Sequence, residues 1–160
     1  MLGLGKLPVY QDEQFRYLTE KLNGYITGAY IYNKMGLTEQ VATTITIATP
    51  NPVRRFRFKN LDIECVKAYC MVYPDESLVP YLRLLDAIKD MKRIPGTTGQ
   101  DIYNRVKSQY FNGYSLPELE KIVSLAKSYP PRVRKVVADI LGDIRQTVLQ
   151  TEMAKTILPT

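Results

Sequence analysis

Residues Gly24–Thr49, GYITGAYIYNKMGLTEQVATTITIAT, decide how the rest of the chain is read. Thr27 stands where an N-cap belongs, ahead of the run Gly28–Met35, and Gly36 supplies the left-handed residue that commonly closes a helix. From Thr43 to Thr49 the period changes. Thr44-Ile45-Thr46-Ile47-Ala48 alternates polar with apolar and is rich in β-branched residues, as a half-buried strand requires. Pro50-Asn51-Pro52 closes it. The expectation is a short capped helix followed by a strand.

Working outward, Val53–Val66, VRRFRFKNLDIECV, folds as a hairpin around Lys59-Asn60. A two-residue loop sets Phe58 opposite Leu61 and Phe56 opposite Ile63 on one face, with Cys65 beside them. The same register sets Arg57 opposite Asp62 and Arg55 opposite Glu64 on the other. Toward the N-terminus, Gln11–Leu22 begins with acidic residues suited to a helix start, places Phe15, Leu18 and Leu22 on one face, and ends at Asn23-Gly24.

From Ser77 onward the pattern is helical. Leu78, Leu82, Leu85 and Ile88 form one stripe, stopped at Pro95-Gly96. Thr98 to Asp101 resembles a capping box, opening a helix with Ile102, Val106 and Tyr110 inward. Ser115-Leu116-Pro117-Glu118 is a better one, and its helix is expected to bury Leu119, Ile122, Val123 and Ala126. After Pro130-Pro131 a last helix carries Val133, Val136, Val137, Ile140, Leu141, Ile144 and Val148. The expected class is α+β: a small antiparallel sheet with a hairpin, followed by a helical C-terminal half. The domain is expected over residues 10–150, with a linker at 1–9 and a tail at 151–160 that frays or packs on a partner.

Composition narrows the chemistry. The 160 residues hold no histidine, which removes Ser-His-Asp and Cys-His nucleophiles and histidine-ligated metals. Cys65 and Cys70 lack metal-ligand spacing and read as free buried thiols. There is no DxD, no Gly-rich phosphate loop with a lysine, and no isolated carboxylate pair flanked by apolar residues. No catalytic residue, metal ligand or cofactor is therefore assigned. No apolar run reaches the roughly 20 residues that span a bilayer, and Met1–Pro8 lacks a signal-peptide core, so no membrane partner and a cytoplasmic location are expected. A net charge of +6 favours nucleic acid or an acidic protein, without discriminating between them.

Two basic clusters are candidate binding sites. In the hairpin, Arg54 and Lys59 have no evident partner, whereas Arg55 and Arg57 are additional candidates that Glu64 and Asp62 could instead satisfy across the ladder. Arg132, Arg134 and Lys135 open the last helix, where positive charge opposes the helix dipole at about 0.3–1 kcal/mol each. They either bind phosphate with the helix N-terminus, pair with Glu118 or Glu120, or face water. The twelve tyrosines, Tyr25, Tyr30, Tyr32, Tyr110 and Tyr114 among them, suit either interfaces or half-buried packing.

Gly24–Thr49, Leu84–Thr98 (LLDAIKDMKRIPGTT) and Tyr129–Leu141 (YPPRVRKVVADIL), taken in order, resemble the C-terminal region of AbiEi-type antitoxins, bacterial proteins of abortive-infection, type IV toxin–antitoxin systems. The similarity is spread from about Gln14 to Ile144. It implies a module that neutralises a cognate nucleotidyltransferase toxin, generally without a stable complex, and a full-length protein that represses its operon by binding operator DNA. Such antitoxins usually carry an N-terminal winged helix. Here the similarity begins almost at residue 1, and Met1–Val9 (MLGLGKLPV) reads as a linker too short for a helix-turn-helix. The winged helix is expected to have been removed or to be naturally absent. The alternatives are a DNA-binding module that contacts phosphates without reading sequence and, weakest, an enzyme of phosphate chemistry.

Overall fold

A computed structural model describes residues 9–50, 55–70 and 75–157. In chain order its elements are α1 (Val9–Leu22), β1 (Tyr25–Thr27), α2 (Ala29–Lys34), β2 (Thr44–Thr49), β3 (Arg55–Phe58), β4 (Leu61–Lys67), α3 (Val79–Lys89), α4 (Gly99–Gln109), α5 (Leu116–Ala126) and α6 (Pro131–Ile157). The class is α+β with the helical half C-terminal, as expected. The linker expected over Met1–Val9 lies outside the described residues apart from Val9, which opens α1. Arg54 also lies outside them.

The hairpin adopts the register its charges imply. Arg55 faces Glu64, Phe56 faces Ile63, Arg57 faces Asp62 and Phe58 faces Leu61. Lys59 takes the left-handed conformation at the turn, with φ of 55°. The sheet, however, is mixed rather than antiparallel throughout. Its order is β1-β2-β4-β3, with β2 and β4 parallel and both outer pairs antiparallel. Strand chemistry accounts for the order. Alternating arginines make β3 suited to an edge, where charge blocks further pairing. The inner place falls to β4, with buried Leu61 and Ile63, and β4 then runs in the direction of β2.

Period two gives this sheet two unlike faces. One carries Ile26, Ile45, Ile47, Leu61 and Ile63, and α1 covers it with Phe15 and Leu18. The other carries Tyr25, Thr27, Thr44, Thr46 and the paired charges of the hairpin. Helix α3 packs there at the β1 side, and its Leu82, Leu84, Leu85 and Ala87 are fully buried among α4, α5 and α6. The polar end of that face, toward β3, stays open.

Several local expectations change. Thr27 does not cap α2. It is the last residue of β1, and the N-cap is Gly28 with φ of 78° and no side-chain cap bond. Gly36 does take the left-handed conformation, also with φ of 78°. Helix α3 ends at Lys89, ahead of Pro95-Gly96, because the backbone tightens into turns there: the Met91 amide bonds to the Ile88 carbonyl and that of Arg93 to Asp90. Val123 and Val148 are exposed rather than buried. The capping box at Ser115 and Glu118 forms reciprocally, and Thr98 Oγ1 accepts the Asp101 amide. Helix α6 continues through Gln150 to Ile157.

Candidate functional site

The C-terminal half of α3 organises the polar side of the molecule. Asp86 is buried, with 2% of its surface exposed, and among the described residues no cation lies within ion-pair distance of it. Three hydroxyls hold it instead: Tyr25 and Thr27 each donate to Oδ2 at 2.7 Å, and Tyr129 donates to Oδ1 at 2.7 Å. Burial drives its pKa up, and the hydrogen bonds and the nearby Lys89 offset that only in part. Burial also pushes the Tyr25 and Tyr129 phenols well above their ordinary range. This network fixes α3 to β1 and to the corner between α5 and α6.

One turn later, Asp90 collects a second set of donors. Tyr32 donates to Oδ2 at 2.8 Å, Arg93 reaches Oδ1 at 3.1 Å, and Lys89 Nζ lies 3.8 Å away. Asp90 therefore holds Arg93 and Lys89 at the lip between two clefts, both of which they line. The first cleft, about 420 Å³, lies between the open polar face of the sheet and the end of α3; Thr44, Thr46, Arg55 and Glu64 contribute to it. The second, about 570 Å³, lies between the end of α3 and the first turns of α6. Lys92, Arg132, Lys135 and Asp139 line it over an apolar floor of Ile88, Met91 and Val136.

The residues singled out in the sequence divide accordingly. Arg55 pairs with Glu64 through Nε at 2.9 Å, and Arg57 with Asp62 at 3.1 Å, so both hairpin arginines are partnered as the ladder predicts. Arg55 stays on the wall of the first cleft. Lys59 sits at the turn with its ammonium 5.7 Å from the Phe58 ring centre, away from both clefts. Arg132 and Lys135 reach the second cleft, whereas Arg134 is exposed outside it. Glu118 does not neutralise this cluster, because it is engaged by Ser115 and Tyr81. Glu120 makes no ion pair there either. Among the described residues, Lys92, Arg132 and Lys135 have no carboxylate within ion-pair distance.

Lys89, Lys92 and Arg93 were not singled out by the sequence reading. Their only signal is density, three cations in the five residues Lys89–Arg93, which on its own reads as a solvated helix end. Cys65 and Cys70 are half-buried; burial raises the Cys70 thiol, which donates to the Leu125 carbonyl at 3.5 Å. Among the described residues no group of carboxylates and cysteines is placed to hold a metal, and no helix is long and apolar enough to cross a membrane. The first cleft combines cations and carboxylates with threonine hydroxyls, and the second combines five cations and one carboxylate with apolar side chains. No protein-family model, curated protein or solved structure matches this chain.

Proposed function

We propose that the chain is an antitoxin module of an abortive-infection, type IV toxin–antitoxin system, acting in the cytoplasm of a bacterium against a nucleotidyltransferase toxin. In this reading it is not an enzyme, and the full-length protein represses its own operon. Support comes from the ordered resemblance between Gln14 and Ile144. The geometric observation that favours an interaction role is the gathering of Arg93, Lys92, Arg132 and Lys135 around one concave surface, with the last three unpartnered among the described residues. Such a surface steers acidic partners and costs little to desolvate at its apolar floor.

Co-expression with the product of the neighbouring gene tests the reading. The 160-residue chain should relieve the toxin's growth arrest, and Lys92, Arg132 and Lys135 changed together to Glu should weaken that relief. Full toxicity alongside a folded, expressed chain counts against it. The same unpartnered cations favour a second reading, a module that grips DNA phosphates without reading bases.

A further inference from the structure

We propose that the cleft between the end of α3 and the start of α6 binds a nucleotide-type anion, a phosphate chain joined to a planar ring. This goes beyond the antitoxin reading and does not depend on it. The cleft's volume, about 570 Å³, falls within the range of small-molecule sites, on the order of 300–1,000 Å³. Its wall is supplied by the end of α3 with the turns after it and by the first turns of α6, which meet here only in the folded chain, so the cations come from two separate segments rather than from a single solvated helix face.

The polar and apolar parts of the lining are separated in a way that matches such a ligand. Arg132 and Lys135 lie one turn apart at the N-terminal end of α6, where the helix dipole adds to their positive potential. Lys92, in the turns that follow α3, lines the same cleft. Among the described residues none of these three cations has a carboxylate within ion-pair distance, and Asp139 is the single acid beside them in the lining, so a phosphate chain would offset the positive charge gathered there. Arg93 is prepositioned by its 3.1 Å contact to Asp90, which leaves its remaining donors for a ligand. Ile88, Met91 and Val136 form an apolar floor that phosphate alone would leave unused and a planar ring would cover. Asp139, the acid on the same wall, sits on the next turn of α6 and can accept from a ring amino group or a sugar hydroxyl.

Calorimetric titration of the chain at low ionic strength with ATP, AMP, inorganic triphosphate and a short duplex DNA tests the assignment. ATP should bind saturably and more tightly than AMP, because more phosphate meets the cations, and more tightly than triphosphate, because the ring meets the floor. R132Q/K135Q should weaken ATP roughly tenfold or more. Met91→Ala should weaken ATP while leaving triphosphate unchanged. Lys127→Gln, an exposed lysine outside the cleft, should change neither. Circular dichroism on each variant separates lost binding from lost fold. Failure of ATP to bind, equal affinity for ATP and triphosphate, or an equal loss in Lys127→Gln would each overturn the proposal. So would duplex binding through the same cations without ATP binding, which would make the cleft a nucleic-acid surface. A well-folded chain that binds ATP yet leaves the toxin active would defeat the antitoxin reading and leave the cleft assignment standing.

Discussion

Tyr129 donates its phenolic hydrogen to Oδ1 of Asp86 at 2.7 Å, and that bond joins the corner before α6 to the middle of α3. With Tyr25 and Thr27 on Oδ2, the carboxylate ties both β1 and that corner to α3 through one side chain. Both clefts are lined by the end of α3 beyond Asp86, so their shape depends on this buried contact.

Replacing Asp86 by Ala should therefore destabilise strongly. It leaves the buried Tyr25 and Thr27 hydroxyls without the acceptor they use and Tyr129 with only the Leu82 carbonyl at 3.4 Å, at about 1–3 kcal/mol for each unsatisfied hydroxyl, so a total loss of at least about 2 kcal/mol is expected. Urea denaturation measures it. A loss below about 1 kcal/mol would mean that the hydroxyls find other partners and that Asp86 is not the organising residue.

The protonation of Asp86 gives a pH dependence whose sign is fixed. Its pKa in the folded protein is raised, chiefly by burial, above the unfolded value near 3.9. Over the interval between those values the folded state binds more protons than the unfolded one, so stability falls as pH rises. Asp86→Asn cannot titrate. The melting temperature of the native chain minus that of Asp86→Asn should be greatest at and below about pH 4 and shrink as pH rises through the raised value. A difference independent of pH would show that Asp86 titrates no differently once folded.

Two glycines share a φ of 78° but not their surroundings. A Cβ on Gly28 would stand 2.6 Å from Thr46 Cβ and Oγ1, whereas on Gly36 the nearest atom would be Gln109 Oε1 at 3.6 Å. Gly36→Ala carries only the left-handed penalty, about 1–2 kcal/mol. Gly28→Ala adds a clash with the sheet beneath the first cleft and should lose measurably more. Equal losses in thermal unfolding would mean that the Thr46 side chain can turn away.

Much of this arrangement was legible where physics is local. The hairpin register followed from the two-residue turn at Lys59-Asn60 together with the alternation, which set Arg55 against Glu64 and Phe56 against Ile63 at once. The Ser115–Glu118 box needed four residues of sequence and formed as read. Reading failed where the deciding partner was distant. Thr27 looked like a helix cap because its true partner, Asp86, lies 59 residues away. Nothing in β2 announced that β4 would be its parallel neighbour, since strand order is set by which strand can bear the edge. Lys92 and Arg132 line one cleft only because the turns after α3 lie against the first turns of α6.

The DNA reading makes its own demand on those residues. A surface that meets only phosphates binds duplex weakly, without preference among sequences, and with affinity that falls steeply as salt rises. Each phosphate contact contributes about 0.9 to the slope of log affinity against log salt. Changing Lys92, Arg132 and Lys135 to Ala should therefore flatten the slope by roughly two to three and lower affinity alike for all duplexes. Arg134→Ala is the internal control: it is adjacent in sequence but lies outside the cleft, so the slope should hardly move. Mobility-shift titrations at several salt concentrations give both quantities. Equal effects from Arg134 and Arg132 would show that bulk charge, not the cleft, grips the phosphates. Tight binding to its own promoter in preference to random duplex would place base reading inside this domain, and assigning operator recognition to a separate winged helix would then fail.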